Sequence, residues 1–123
     1  MLEKIFGFLS PVLNSSKPVN SFSKRHVNAD ICLTPMGSSN TSTRAEIRKA
    51  VEIMSRAGFD EVKPHAFGTN VSGKWSTLVS SIEKISEKLL PECQRLHFDL
   101  RISIRDDKPK HKQTIGHTIA AVS

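Results

Sequence analysis

From Leu96 to Arg105 apolar and polar residues alternate without interruption: Leu96, Phe98, Leu100, Ile102 and Ile104 against His97, Asp99, Arg101, Ser103 and Arg105. Successive side chains of an extended chain point to opposite faces, so this segment is a strand with one apolar and one polar face. A strand of that kind needs a sheet that is covered on one side only. The same alternation sets Ala29, Ile31 and Leu33 against Asp30, Cys32 and Thr34, until Pro35, Met36 and Gly37 stop the first strand.

Between these two strands the period changes. Thr43 and Glu46 have capping-box spacing, and Ile47, Ala50, Val51, Met54 and Ala57 follow at helical intervals until Gly58. Val62 to Phe67 forms a second strand, and Pro64, which has no N–H for the ladder, predicts that it lies at a sheet edge. Gly68 turns the chain, Thr69 to Ser72 returns as a hairpin strand, and Gly73 releases it into a second helix. Trp75, Leu78, Val79, Ile82, Ile85 and Leu89 mark that helix's apolar stripe, with Pro91 at its end. Ile115, Ile119 and Val122 suit a short terminal helix over Thr114 to Val122. The order β-α-β-β-α-β predicts an α+β, ferredoxin-like domain: a four-stranded antiparallel sheet with both helices on one face.

The 123 residues suffice for one core, and self-association would add burial that a domain of this size lacks. Residues 1–27 differ from the rest, with five serines, two prolines and four basic residues against Glu3 alone. They read as a flexible or targeting extension, leaving 28–123 as the domain. The cytosol is the expected compartment, with the mitochondrial matrix as the alternative should 1–27 act as an import leader. Half of the net charge of +6 lies in this extension, and much of the remainder in Lys108, Lys110 and Lys112, which suits a solvated loop better than a phosphate-binding groove. No apolar run approaches the roughly 18–20 residues of a membrane span. Cys32 and Cys93 are too far apart in sequence for a zinc-site spacing and read as free thiols.

The chain has no phosphate-binding glycine loop, nucleophile elbow or metal-ligand spacing, so no catalytic residues, cofactor or metal are expected. A nucleic-acid reading would need aromatics on the polar sheet face; the chain has no tyrosine, and Phe98 falls in the apolar register. The polar face carries Asp30, Cys32 and Thr34 beside His97, Asp99, Arg101 and Arg105, and cross-strand Asp–Arg pairs are its simplest content. The corner Gly68-Thr69-Asn70-Val71-Ser72-Gly73, followed by Trp75, offers close backbone approach, donors and acceptors, and a flat ring. It suits a small heteroaromatic ligand, or else Trp75 is the helix's first core residue and Thr69 and Asn70 are turn residues.

These segments together resemble the thiamine-binding, MTH1187/YkoF-like protein family over about Ala29 to Ala121. The resemblance rests on Ala-Asp-Ile-Cys-Leu-Thr-Pro-Met-Gly at 29–37, Gly68-Thr69 through Gly73-Lys74-Trp75, His97-Phe98-Asp99-Leu100-Arg101, Arg105, and Asp107-Lys108. It implies a ferredoxin-like fold that assembles as homodimers or homotetramers through its sheets. It also implies binding of thiamine or its hydroxymethylpyrimidine portion without turnover. Carried onto this chain, it implies a ligand site from Asp30, Thr34, Gly68, Thr69, Asn70, Ser72 and Trp75, with His97, Asp99, Arg101 and Arg105 at an oligomer interface or in structural roles. One departure stands out: the family's hairpin reads Thr-Thr-Ile-Glu-Gly, and Ser72 stands where its carboxylate would be. An oligomeric structural or regulatory protein without a metabolite is the alternative this departure favours.

Overall fold

The computed structural model describes residues 22–37, 43–107 and 113–116. Four strands, β1 (His26–Met36), β2 (Glu61–His65), β3 (Gly68–Lys74) and β4 (Arg95–Ile104), alternate with helices α1 (Arg44–Ser55) and α2 (Trp75–Leu89); a 3-10 turn, Leu90–Glu92, closes α2. The sheet runs β2-β3-β1-β4, every neighbouring pair antiparallel. This is the expected α+β, ferredoxin-like arrangement. Pro64 stands on edge strand β2, as its missing donor requires. The basic loop and most of the expected terminal helix lie outside the described residues.

The core is the meeting of two periodicities. Val27, Ala29 and Ile31 of β1 and Val71 of β3 point to the helices, where Ala50 and Met54 of α1 and Leu78, Ile85 and Leu89 of α2 cover them. Each fully buried aliphatic side chain contributes about 1.5–3 kcal/mol. Ile47 and Val79, expected on the core faces, are 42% and 46% exposed. The buried lines are Glu46, Ala50 and Met54 on α1 and Leu78, Ser81, Ile85 and Leu89 on α2, so Ile47 and Val79 each sit one residue, a quarter turn, outside them. The capping box does not form either: Thr43 has ψ near 6°, outside the extended range, its side chain makes no cap hydrogen bond, and Glu46 is buried.

The N-terminal boundary also falls earlier than composition suggests. β1 begins at His26, and Val27 is fully buried in the same register as Ala29 and Ile31. Phe22 meets Trp75 edge-on with ring centroids 5.4 Å apart, the Trp75 amide donates to the Arg25 carbonyl at 2.8 Å, and Arg25 pairs with Asp106. Residues 22–27 therefore pack as part of the domain, because strand register and not Ser content decides which side chains the helices cover.

Two consequences can be measured by chemical denaturation. Ile85→Ala should cost about 2–5 kcal/mol by leaving a cavity, whereas Val79→Ala should cost no more than ~0.5 kcal/mol. At Gly73 an added Cβ would lie 2.9 Å from Phe59 Cδ1 and 3.2 Å from its Cα. Gly73→Ala should therefore lower stability by about 1–3 kcal/mol through overpacking, and Phe59→Leu combined with it should restore part of the loss.

Candidate binding face of the sheet

The alternation that buries Val27, Ala29 and Ile31 sends His26, Asn28, Asp30, Cys32 and Thr34 to the face the helices leave open. Pairing extends the row sideways: Asp30 lies between Asn70 on β3 and Arg101 on β4, and Asn28 between Ser72 and Ser103. One face thus collects polar groups from strands remote in sequence.

Around Asp30 the groups form a site. Asp30 Oδ1 lies 2.7 Å from His65 Nε2, and His65 Nδ1 accepts the Phe67 amide at 3.2 Å. A cavity of about 250 Å³ is lined by Asn28, Asp30, Asn70, Arg101 and Ser103, with Ile115 as an apolar wall. Asp30 and Arg101 also line an adjoining open groove with Cys32, His65, Phe67 and Asp99. Phe67, 84% exposed at the tip of the β2–β3 turn, gives this groove an aromatic surface.

Beside it, the segment 113–116 lies across the open face. The Gln113 carbonyl accepts from Asn28 Nδ2 at 2.8 Å and lies 3.1 Å from His26 Nε2, while the Ile115 amide donates to Glu61 Oε1 at 3.1 Å. Ser72 Oγ, 3.0 Å from His26 Nε2, is covered here, its residue 1% exposed. Asn28 Nδ2, His26 Nε2 and Ser72 Oγ have thus gained partners on leaving water, whereas His26 Nδ1 is buried without a hydrogen bond, the nearest acid being Asp60 Oδ2 at 3.7 Å.

The residues singled out by sequence do not all meet. Asp30, Asn70 and Arg101 share one row across the sheet; Gly68 stands beside them, where a Cβ would come within 3.2 Å of Asp30 Oδ1 and 2.7 Å of the Ile31 carbonyl. Ser72 is on the same face but beneath the 113–116 segment. Thr34 pairs with His97 towards the far end of β1, exposed to solvent. Thr69, next to Asn70 in sequence, points the other way, buried among the helices with Ile31, its partner on β1. Trp75 belongs to the helix layer, packed on the core and on Phe22, so the sheet separates it from Asn70. The expected corner of Thr69, Asn70 and Trp75 is thereby divided between two faces, as strand alternation requires.

The charge pairs differ from expectation too. Asp30 pairs with His65 and not with Arg101, which makes no ion pair among the described residues. Asp99 pairs along its own strand with His97 at 3.2 Å. Arg105 makes two hydrogen bonds to Asp107, at 2.9 and 2.6 Å, which raise its guanidinium still further above its ordinary range. His26, Asn28 and His65 escaped the sequence reading. Extending the β1 alternation back from Ala29 to residue 26 finds the first two, but no sequence signal aims His65 at Asp30.

Among the described residues no group of three or more His, Cys, Asp or Glu is arranged to hold a metal ion, and no helix is long and apolar enough to cross a membrane.

Comparison with known proteins agrees with this architecture. The UPF0045 protein ECM15 of Eremothecium gossypii is 31% identical over 94 residues, spanning 74% of this chain and 87% of its own. The UPF0045 protein sll0230 of Synechocystis is 24% identical over 98 residues, spanning 79% and 77%. Among solved structures, the hypothetical protein MJ1052 of Methanocaldococcus jannascii superimposes with a TM-score of 0.68 at 25% identity, over 80% of this chain and 96% of that one. A Thermotoga maritima protein, TM0486, provisionally assigned to thiamine biosynthesis or salvage, shares the fold with a TM-score of 0.62 at 18% identity, over 80% and 99%. The family described as thiamine-binding protein matches residues 29–123, and with three-quarters of its length so matched, the chain belongs to that family.

Proposed function

We propose that the open face around Asp30 binds thiamine, or its hydroxymethylpyrimidine portion, and holds it without turnover. The observation that carries this reading is the row Asn70–Asp30–Arg101 lining a cavity of about 250 Å³ with Ile115 at its side. An aminopyrimidine edge places a donor amine beside an acceptor ring nitrogen. Asp30 accepts, Arg101 donates and Asn70 does both, so the row complements that edge. A cavity somewhat below the usual range of roughly 300–1,000 Å³ suits one small ring, with Ile115 against its face.

The cationic thiazolium of thiamine would then extend into the adjoining groove, where Asp99 supplies negative charge and Phe67 an aromatic face for cation–π attraction. Ser72, which stands in place of the family's carboxylate, is not among the residues lining either space, so its substitution removes no group from the cavity described.

A thermal-shift titration of the full chain with thiamine, thiamine phosphates and hydroxymethylpyrimidine tests this directly. A saturable rise is expected, approaching ~2.7 kcal/mol of added stability at a ligand concentration of 100 times Kd. Asp30→Asn and Arg101→Ala should each weaken binding about tenfold or more, while Trp75→Ala should lower the melting temperature and leave Kd unchanged. Absence of any saturable shift would reject the ligand reading.

Self-association is a second reading, and the outer strand β4 favours it. Leu100, Ile102 and Ile104 lie on its helix-facing side yet remain 38–43% exposed, because the helices do not reach the edge. Two copies of β4 pairing antiparallel about Leu100 would set Asp99 opposite Arg101 twice on one face and Phe98 opposite Ile102 twice on the other. Light scattering should then report a dimer or a larger assembly. Arg101→Asp should dissociate it, and the double exchange Asp99→Arg with Arg101→Asp should restore it; a monomeric wild type would exclude this pairing.

A further inference from the structure

We infer that His65 is a positioning residue that fixes which oxygen of Asp30 meets the ligand, and thereby makes the site selective for rings carrying an amine over rings carrying a carbonyl. The inference rests on the proposed ligand reading and adds a residue that neither the family resemblance nor the sequence motifs single out.

The geometry assigns the tautomer. The Phe67 backbone N–H points at His65 Nδ1 at 3.2 Å, and a backbone amide can only donate, so Nδ1 carries the lone pair. The imidazole proton then sits on Nε2, 2.7 Å from Asp30 Oδ1. Both ring nitrogens are engaged, which leaves His65 no free lone pair with which to take a proton from a ligand. Its role is to hold the carboxylate.

The turn that carries His65 is built for this contact. His65 ends β2, Gly68 begins β3, and the two are paired across the hairpin. Any side chain at 68 would press on the Ile31 carbonyl, 2.7 Å from the added Cβ, and approach Asp30 Oδ1 at 3.2 Å. Glycine at this position thus leaves room for Asp30 and His65 to meet. The consequence for recognition is that Oδ1 is already accepting the His65 proton, and Oδ2 is the oxygen left for the cavity. An ionised carboxylate offers a ligand only acceptance, so a ring amine is bound and a ring carbonyl in the same place is repelled; because His65 holds the carboxylate, it cannot turn away from that carbonyl as it could without the imidazole.

The experiment has two arms. In the unliganded full chain, long-range proton–nitrogen NMR of His65 should show the Nε2–H tautomer, and Asp30→Asn should alter its signature; an Nδ1–H tautomer, or one averaged between the two, overturns the assignment. In the second arm, affinities are measured for hydroxymethylpyrimidine and for its analogue with oxygen in place of the amine. Wild type should prefer the amine about tenfold or more. His65→Ala should reduce that preference to about threefold or less, His65→Gln, whose amide nitrogen can reach the place of Nε2, should restore it, and His65→Asn should not. An unchanged preference in His65→Ala removes the positioning role while leaving the ligand reading intact. If the wild type binds neither pyrimidine, the ligand reading and the selectivity fall together, and the NMR arm alone decides whether His65 clamps Asp30.

Discussion

The period-two register of β1, paired on one side with β3 and on the other with β4, is the constraint on which the rest depends. Its inward residues Val27, Ala29 and Ile31 form the floor that both helices cover, and its outward residues His26, Asn28 and Asp30 form the axis of the polar face. A slip of one residue would exchange these sets, placing Asp30 beneath the helices and Ile31 in solvent. Stability and site are therefore specified by the same ladder of backbone hydrogen bonds, and a change of register would alter both.

Polar groups on the open face are managed by local pairing as much as by exposure. His65 holds Asp30, His97 lies against Asp99, Asp107 holds Arg105, and the Gln113 carbonyl receives the side chains of β1. Exposed pairs of this kind contribute at most about 1 kcal/mol each to stability. Their larger effect is geometric, since each fixes the direction of a donor or acceptor on an otherwise adaptable surface. Ile115 adds an apolar wall to this face, converting a flat patch beside Asp30 into a space with walls.

Sheet and helix layers meet differently at the two ends of the hairpin. At Gly73 the β3 backbone approaches Phe59 so closely that no side chain fits, and at Gly68 it approaches Ile31 and Asp30. The first glycine serves packing and the second serves the site, although the sequence presents both simply as turn residues. Thr69, next to the second glycine in the chain, takes part in the core for the same reason that Asn70 does not: adjacent residues of a strand cannot share a face.

Sequence alone determined the element order, because alternation in β1 and β4 and helical spacing in α1 and α2 are local properties that each segment carries by itself. It also determined the edge position of β2 through Pro64, and which side chains of β4 face the helices. The tertiary structure alone decided which polar residues meet. Residue 30 finds residue 65, residue 26 finds residue 113, and residue 25 finds residue 106, since strand pairing and turn geometry bring them together across long stretches of chain. Side-chain hydrogen bonds across such separations depend on where the backbone has already been placed, and no local pattern in the sequence encodes that placement.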